Sequence, residues 1–298
     1  MQYIIIKIIT ILSILLISGC TDILSNKDSN YNSIHLKGGG WLQFDALDVQ
    51  TYLENNFSLQ LWISGDSDQS NDSKTIISIL NEDNNNEIIL GLFRNTSINE
   101  GIDIYLNNNF VETINNENLD WTKTIFNLIT ITSELADNGN KNIKIFINDT
   151  EVFSQENINI QIGQNDLIVG AKVNRSKTIA SNFWTGYIDE IRFWDTVLTN
   201  EEISFHFVNS SKLIATEDDI STEDIVEGSY EDTRLCNLIG LWRFNYSNPT
   251  SSIRDESCLE LNLSSGSNNA PECNECQEIH GIIYTLPGSN VEFSKISL

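Results

Sequence analysis

The region from Ile34 to about Val208 is a succession of short β-branched and aromatic runs separated by turns rich in Asn, Asp and Gly. The runs that predict strands are WLQFDAL, FSLQLWIS, KTIISIL, EIILGLF, GIDIYLN, NLITITS, NIKIFIN, TEVFS, DLIVGAKV and GYIDEIRFW. In NIKIFIN the isoleucines alternate with Lys144 and Phe146, which places the two sets on opposite faces of a strand. Many strands at regular spacing, with no helical pattern between them, predict an all-β antiparallel sandwich.

The first residues have the form of an export signal. An apolar run from Ile8 to Ile17 follows Lys7 and ends in small residues before Cys20. The run is shorter than the ~20 apolar residues of a membrane-spanning helix. Its ending resembles the bacterial lipobox, which implies that Cys20 becomes the lipidated, palmitate-bearing first residue of the mature protein, although a plain signal peptide is the alternative. We therefore expect an extracytoplasmic, lipid-anchored protein of the bacterial cell envelope, at the outer membrane or cell surface.

The charge balance limits the partners of the protein. The 42 acidic residues outnumber the 17 basic residues, which gives a formal net charge of −25. Such a surface repels phosphate backbones, so we exclude nucleic acid as a partner. An acidic exterior is compatible with calcium but does not by itself indicate a calcium site.

The remaining cysteines lie in the last quarter of the chain, at Cys236, Cys258, Cys273 and Cys276. A zinc site would need a second close pair or histidines at ligand spacing, and the sequence has neither. In an exported protein, two structural disulfides are the stronger interpretation. All three pairings remain open, with a preference for the long-range ones because a very short loop removes little entropy from the unfolded chain.

An acidic stretch from Thr216 to Asp232 indicates a boundary before the cysteines. The region beyond it has about sixty residues, a size that is marginal for an independent core and commonly needs disulfides. We divide the chain into a signal peptide at 1–19, a polar tether at 20–33, the sandwich at 34–212, an acidic linker at 213–232 and a small disulfide-stapled β segment at 233–298.

The stretch GYIDEIRFWDTVLTNEEI resembles the closing strand of the laminin-G-like, concanavalin A-like jelly-roll family. GGGWLQFDAL, FSLQLWIS and NIKIFINDTEV resemble earlier strands of the family in the same order, with Ala46 and Asp149 where glycine is usual. LIGLWRFN resembles the strand with which the family normally begins, although here it follows the jelly roll. The segment at 233–298 is therefore either a partial second laminin-G-like unit or a set of strands that folds back to complete the first sheet.

The acids of the closing motif could form a catalytic site, a metal site or a structural element. On a regular strand Asp189 and Glu190 would point to opposite faces, unlike the facing carboxylates of a glycosidase, although a β-bulge could realign them. The related glucanases carry Glu-Ile-Asp followed by another Glu, a pattern that YIDEIRF lacks. We expect Arg192 to pair with a neighbouring carboxylate, and Thr199 and Glu202 to form the capping box of a short helix.

Candidates for ligand and metal contacts are few. Asp189, Asp66 and Asp68 are weak calcium candidates, because GDSDQSNDS begins like an EF-hand loop but lacks its glycine and closing glutamate. The aromatic side chains that could stack on a sugar ring are Trp184, Trp121 and Tyr105, although a tryptophan on a sandwich strand more often belongs to the core.

No catalytic or cofactor-binding residue is predicted. The sequence has no Gly-x-Ser-x-Gly elbow, and we interpret His35, His206 and His280 as structural. The expected function is a non-catalytic envelope lipoprotein whose jelly roll binds an extracellular carbohydrate or protein. A polysaccharide-degrading glycosidase and a purely structural envelope module are the alternatives, and calcium is the one cofactor for which a site can be named.

Overall fold

The computed structural model describes residues 33–44, 46–66, 74–81, 87–95, 101–115, 119–122, 125–160, 165–173, 180–210, 237–244, 252–253, 281–285 and 291–294. Within these residues the chain forms two eight-stranded sheets, a two-stranded ribbon and two helices. All strand pairs are antiparallel. The predicted all-β antiparallel sandwich is confirmed.

The first nine strands are β1 Ser33–Lys37, β2 Gly40–Phe44, β3 Phe57–Gly65, β4 Lys74–Asn81, β5 Glu87–Arg94, β6 Ile102–Leu106, β7 Asn109–Ile114, β8 Asn127–Leu135 and β9 Lys141–Ile147. The others are β10 Thr150–Ile158, β11 Asn165–Val169, β12 Lys172–Val173, β13 Ala180–Ser181, β14 Thr185–Trp194, β15 Leu238–Trp242, β16 Ser252–Ile253, β17 Gly281–Thr285 and β18 Val291–Ser294. The helices are α1 Ala46–Glu54 and α2 Asn200–Val208.

The two sheets enclose the main core. Sheet A has the order β10-β9-β8-β3-β14-β1-β18, with β15 also paired to β14, and sheet B has the order β16-β17-β2-β11-β4-β5-β6-β7. The alternation in NIKIFIN is confirmed, because Ile143, Ile145 and Ile147 are fully buried in the core between the sheets. Phe146, on the opposite face of β9, joins a separate cluster that includes Ile203 of α2. Helix α2 therefore covers part of the outer face of sheet A.

The strands after the acidic stretch complete both sheets. In sheet A, β15 pairs with the second half of β14 and β18 pairs with β1. In sheet B, β17 pairs with β2 and β16 pairs with β17. Of the two arrangements that the sequence left open for this region, the described strands take the second, in which the chain folds back onto the jelly roll. The acidic stretch and the cysteines lie outside the described residues.

Helix α1 replaces the end of the predicted strand WLQFDAL. Strand β2 ends at Phe44, and the helix begins at Ala46, so the prediction of strand over the last residues of this run was wrong. Val49 and Leu53 are buried in the core, and both lie on one side of the helix because they are four residues apart. The ring of Tyr52 meets the ring of Phe193 edge-on, with centroids 6.1 Å apart.

The C-terminal end of α1 is held by Lys141 from strand β9. Its ammonium group donates to the carbonyl of Glu54 at 2.8 Å and to the carbonyl of Asn55. A cation at this position satisfies carbonyls that have no partner within the helix and interacts favourably with the helix dipole. Lys141 is only 2% exposed, and burial lowers its pKa from 10.5 to about 8, an effect that the nearby Glu54 opposes.

The predicted capping box of α2 is confirmed. The Thr199 side chain accepts from the backbone N–H of Glu202 at 3.2 Å, and the Glu202 carboxylate accepts from the backbone N–H of Thr199 at 2.7 Å. Within the part of the chain that the structure describes, no helix has the length and apolar composition needed to cross a bilayer.

Candidate functional site

The acidic motif on β14 contains a β-bulge at Glu190. Asp189 lies opposite Trp62 of β3 and Ile191 lies opposite Leu61, so Glu190 has no residue across from it. Its φ of 31° is in the left-handed region, and its backbone N–H donates to the Asp189 carboxylate at 2.8 Å. Of the two possibilities that the sequence left open, a regular strand and a strand with a β-bulge, the structure has the bulge, which interrupts the alternation of side chains.

The bulge directs the Glu190 carboxylate toward two arginines. Arg192 Nε donates to Glu190 Oε1 at 2.7 Å, and Arg192 Nη2 lies 2.5 Å from the same oxygen. Arg243 Nε lies 3.5 Å from Glu190 Oε2. The predicted pairing of Arg192 with a neighbouring carboxylate is confirmed. We call Asp189, Glu190, Arg192 and Arg243 the acid–arginine cluster.

The environment of Arg192 is almost closed to solvent. The Arg192 side chain is fully buried, and its guanidinium carbon lies 4.6 Å from the centre of the Trp62 ring. Nη2 also donates to the carbonyl of Ser210, just after α2. Burial lowers the pKa of Arg192, and the carboxylate of Glu190 opposes this effect. The buried guanidinium of Arg192 thus connects β14 to β3, through Trp62, and to the end of α2, through Ser210. The carboxylate of Glu190 balances its positive charge.

The two calcium candidates that the structure describes, Asp66 and Asp189, have different contacts. Asp66 Oδ2 lies 2.7 Å from His35 Nε2, and the His35 ring stacks on Tyr187 with ring centroids 4.1 Å apart. Asp189 caps the backbone of the bulge. Asp68 lies outside the described residues, as do Cys20 and His280. Among the described residues there is no group of three or more His, Cys, Asp or Glu side chains that could hold a metal ion.

Two of the three aromatic candidates for sugar contact belong to the core. Trp184 is fully buried and Trp121 is 5% exposed, with ring centroids 5.4 Å apart. Neither ring presents a face to solvent, so the hypothesis that they contact a ligand was wrong, and the alternative of a core position holds. Tyr105 on β6 is half-buried and lies on the outer face of sheet B.

Tyr105 is part of a row of aromatic rings on this outer face. Its ring meets Phe93 of β5 edge-on at 5.1 Å and Phe110 of β7 edge-on at 5.7 Å. Phe93 is buried and Phe110 is 54% exposed, so the row runs from the sheet surface to solvent. We call Phe93, Tyr105 and Phe110 the aromatic patch. Gly91 makes room for it, because a Cβ at this position would lie 2.6 Å from the Phe93 ring.

Phe110 was not predicted from the sequence as a ligand contact, although the turn before it indicates its position. Asn107 and Asn108 form a two-residue turn with φ of 46° and 65°, and two positive φ values are the mark of a tight hairpin. This turn pairs Leu106 with Asn109 and therefore sets Tyr105 opposite Phe110. The Asn-Asn sequence between two apolar runs could have predicted both the strand β7 and this pair.

A polar network lies beside the aromatic patch. Asp103, two residues before Tyr105 on the same face of β6, accepts from Thr113 Oγ1 at 2.6 Å. The Asn95 side chain lies 3.2 Å from both oxygens of the Asp103 carboxylate. Asp103 is half-buried. Within the part of the chain that the structure describes, Asp103 Oδ2 accepts one hydrogen bond, from Asn95. A carboxylate oxygen can accept two, so Oδ2 can accept a further hydrogen bond.

The ribbon of β12 and β13 covers the other half of this face. Val173 and Ala171 pack with Trp41 and Ile168 over strands β2 and β11. Phe183, which follows the ribbon, lies with its ring 6.1 Å from that of Trp41. The outer-face residues of β5, Ile88 and Phe93, are buried in the same cluster, whereas Phe110 on β7 is 54% exposed. The aromatic patch is therefore bordered on one side by the ribbon and on the other by the edge strand β7.

Comparison with solved structures returns matches at low sequence identity. A candidate carbohydrate-binding protein of Bacteroides ovatus has a TM-score of 0.48 and 10% identity, over 89% of this chain and 60% of that one. Trypanosoma rangeli sialidase in complex with sialic acid has a TM-score of 0.48 and 11% identity, over 62% of this chain and 28% of that one. The CBM40 of Ruminococcus gnavus IT-sialidase, bound to alpha-2,3-sialyllactose, has a TM-score of 0.42 and 16% identity, over 58% of this chain and 95% of that one.

The chain thus spans less than two thirds of the first two of these proteins. A comparison with curated proteins gives no match. The profile of the laminin-G-type family described as the concanavalin A-like lectin/glucanases superfamily matches residues 36–204, which is more than half of the chain. The match begins in β1 and ends within α2, and so includes the bulged motif on β14. The chain belongs to the concanavalin A-like lectin/glucanases superfamily.

Proposed function

We propose that the protein is a non-catalytic, lipid-anchored glycan-binding protein of the bacterial cell envelope, and that the aromatic patch on sheet B is its binding surface. One observation carries this proposal. An exposed aromatic ring, Phe110, stands beside a half-buried one, Tyr105, and both lie next to the carboxylate of Asp103 on the same face. Membership in a superfamily that contains lectins is compatible with this function, but the fold alone does not assign it.

The chemistry of the patch matches that of a sugar. A pyranose ring has an apolar face of C–H groups, which can pack on an aromatic ring, and an edge of hydroxyl groups, which donate hydrogen bonds. Phe110 offers an aromatic surface with 54% of the residue exposed. Asp103 Oδ2, on the same outer face of sheet B, can accept a hydrogen bond from a sugar hydroxyl. Sites for small molecules combine these two elements, apolar contact area and a few fixed polar groups.

Binding is favoured over hydrolysis by the state of the acid–arginine cluster. A retaining glycosidase needs two carboxyl groups about 5–5.5 Å apart across one bond, and one of them must give up a proton. Both oxygens of the Glu190 carboxylate face arginines, Oε1 toward Arg192 and Oε2 toward Arg243. The Asp189 carboxylate is engaged by the backbone of the bulge. These partners support a structural role for both acids.

The membrane attachment rests on the sequence. The apolar run that ends at Cys20 supports lipidation of this cysteine and export across the inner membrane. The four later cysteines then form two disulfides in an oxidising compartment. A labelled fatty acid should enter the wild-type protein and should not enter Cys20→Ser. Equal labelling of both forms, or of neither, contradicts the anchor.

A glycan array tests the binding function. The full chain is applied to an array of cell-surface and polysaccharide fragments, and we expect a defined subset to bind. The Phe110→Ala form should lose at least tenfold in signal, whereas Leu135→Ala, which changes an exposed residue of sheet A, should not. Binding that survives Phe110→Ala contradicts the assigned surface. Cleavage of a bound polysaccharide during prolonged incubation contradicts the non-catalytic assignment.

A further inference from the structure

The outer face of sheet B can be followed along one row of residues that lie opposite one another on successive strands. From β2 to β7 the row consists of Gln43, Ile168, Ser78, Gly91, Tyr105 and Phe110. Opposed residues of antiparallel strands project from the same face, so the whole row belongs to the face that carries the aromatic patch. Gln43 is 3% exposed and Ser78 is 0% exposed, whereas Tyr105 is half-buried and Phe110 is 54% exposed. Solvent therefore reaches this row at its β6 and β7 positions and not at its β2 and β4 positions.

The positions beside this row show the same boundary. On β2, β11, β4 and β5 the further outer-face residues are each at most 4% exposed: Trp41, Asp166, Thr75, Leu80, Ile88 and Phe93. On β6 and β7 the corresponding residues, Asp103 and Thr113, lie opposite each other and are half-buried. Among the described residues between β2 and β7, the accessible part of the outer face is thus limited to the last two strands of the sheet.

The ribbon of β12 and β13 lies over the buried part of this face. Val173 and Ala180 lie opposite each other in the ribbon and pack in the cluster that includes Phe93. Lys172 and Ser181, the other opposed pair, are exposed on the solvent side of the ribbon. The ribbon therefore has an apolar side toward the sheet and a polar side toward solvent.

Backbone hydrogen bonds attach both ends of the ribbon to β4. The N–H of Gly170, just before the ribbon, donates to the carbonyl of Ile76 at 3.1 Å. The N–H of Thr75 donates to the carbonyl of Asn182, just after the ribbon, at 2.7 Å. A glycan chain that binds at the aromatic patch would therefore have to pass over the solvent side of the ribbon in order to extend toward β2.

From this boundary we infer that the aromatic patch recognises a short glycan epitope of one or two sugar units, and that further units of a longer chain extend into solvent without contact. The inference rests on the proposed glycan-binding function. Adjacent strands lie about 4.8 Å apart, and residues two positions apart on one strand, such as Asp103 and Tyr105, lie about 7 Å apart. The area bounded by these two residues and Phe110 is comparable with one pyranose ring, and a second unit fits beside it only at the edge of the sheet.

A contact limited to two sugar units gives a characteristic dependence of affinity on chain length. A unit that packs on a ring or donates a hydrogen bond raises the affinity, whereas a unit that stays in solvent does not. A two-unit epitope occurs at about five positions in a six-unit homopolymer, so the longer chain gains at most about fivefold from these alternative positions. A chain that lay across the sheet would instead gain affinity from contacts with each further strand.

Oligosaccharide series of increasing length test the inference. The full chain is titrated calorimetrically with cello-, manno-, xylo- and chito-oligosaccharides of one to six units, and with truncation series of the same lengths from any other glycan that binds on the array. In each series that binds, we expect the dissociation constant to reach its plateau by two units and to fall by less than tenfold from two to six units.

Variants on the two sides of the boundary provide the matched comparison. Phe110→Ala should weaken the two-unit and six-unit members by the same factor, at least tenfold. Lys172→Ala and Ser181→Arg change exposed positions on the solvent side of the ribbon, which a chain extending toward β2 would cross. Both should leave the affinity for the six-unit member within about threefold of the wild-type value.

The outcomes separate this inference from the function on which it rests. A gain of tenfold or more between two and six units overturns the inference and leaves glycan binding intact. A six-unit member that is weakened by Ser181→Arg or Lys172→Ala, or that keeps its affinity in Phe110→Ala while the two-unit member loses it, also overturns it, because the chain then has contacts beyond the patch. Absence of binding to any glycan contradicts the proposed function and this inference with it.

Discussion

Glu190 and Arg192 form an ion pair on the outer face of sheet A in which Nη2 of Arg192 lies 2.5 Å from Oε1 of Glu190 and the arginine side chain is fully buried. The two residues are brought together by the β-bulge at Glu190, which removes the alternation that would otherwise set the direction of its side chain. An aromatic ring, that of Trp62, lies below the guanidinium group. The adjacent acids Asp189 and Glu190 are thereby part of the framework of the sheet.

Removal of the Glu190 charge should destabilise the protein strongly. In Glu190→Gln the buried Arg192 loses its principal counter-charge, and an uncompensated buried charge costs about 3–5 kcal/mol. Asp189→Asn should cost less, about 1 kcal/mol, because the amide oxygen can still accept from the Glu190 N–H. Urea denaturation measures both values, with Glu156→Gln on the exposed edge strand β10 as the matched control. Unchanged stability in Glu190→Gln contradicts the structural role.

The backbone of the bulge allows a separate test that does not involve charge. Glu190→Gly and Glu190→Ala both remove the carboxylate, but only glycine adopts a φ of 31° without steric cost. We expect the glycine form to be more stable than the alanine form by about 1 kcal/mol. At Ser154, an ordinary exposed position of β10, the order should be reversed, because glycine in a strand is less stable than alanine. The same order at both sites argues against the bulge.

The capping box should contribute measurably to the attachment of α2. Thr199→Ala removes the acceptor for the Glu202 N–H, and loss of such a cap costs about 1 kcal/mol. Thr199→Ser retains the hydroxyl and should be close to wild type. Thermal denaturation, followed by circular dichroism, gives the two values, and equal losses in both variants contradict the assignment.

The buried ammonium group of Lys141 should make stability depend on pH in the alkaline range. Its pKa is about 8 in the folded protein against 10.5 in the unfolded chain, so the unfolded state binds more protons between these values. Folding stability should therefore rise as pH increases from about 8 toward 10.5, by roughly 3 kcal/mol at most. Below pH 8 both states are protonated and the contribution is constant.

The comparison of wild type with Lys141→Met isolates this contribution, because the other titrating groups are common to both proteins. Urea denaturation at several pH values between 7 and 10.5 gives the difference in unfolding free energy. We expect this difference to move in favour of the wild type as pH rises. A difference that stays constant over this range shows that the ammonium group is not buried as described.

The features that depend on the local sequence pattern could be predicted from the sequence. The alternation around Ile145, the capping box at Thr199 and the pairing of Arg192 with a carboxylate follow from residue spacing and charge alone. Helix α1 was missed because its apolar positions, such as Val49 and Leu53, are few and follow directly on a strand.

Features that depend on contacts between residues far apart in the chain could not be predicted from the local sequence. The bulge at Glu190 requires the register between β14 and β3, which the local sequence does not contain. The pairing of β15 with β14 and of β18 with β1 joins segments far apart in the chain. The burial of Trp184 and the exposure of Phe110 are likewise consequences of the fold, since both residues lie in runs of similar composition.

Substitution of Phe110 tests the central claim, that the aromatic patch binds glycans, most directly. Phe110→Leu keeps an apolar side chain at this exposed position of β7 but removes the ring, whereas Phe110→Trp keeps an aromatic face. Isothermal titration calorimetry with the oligosaccharide that binds most tightly on the array compares these forms with the wild type. We predict at least a tenfold loss of affinity in Phe110→Leu, retention within about threefold in Phe110→Trp, and the same melting temperature in all three. Equal affinity of the leucine and wild-type forms would contradict the account.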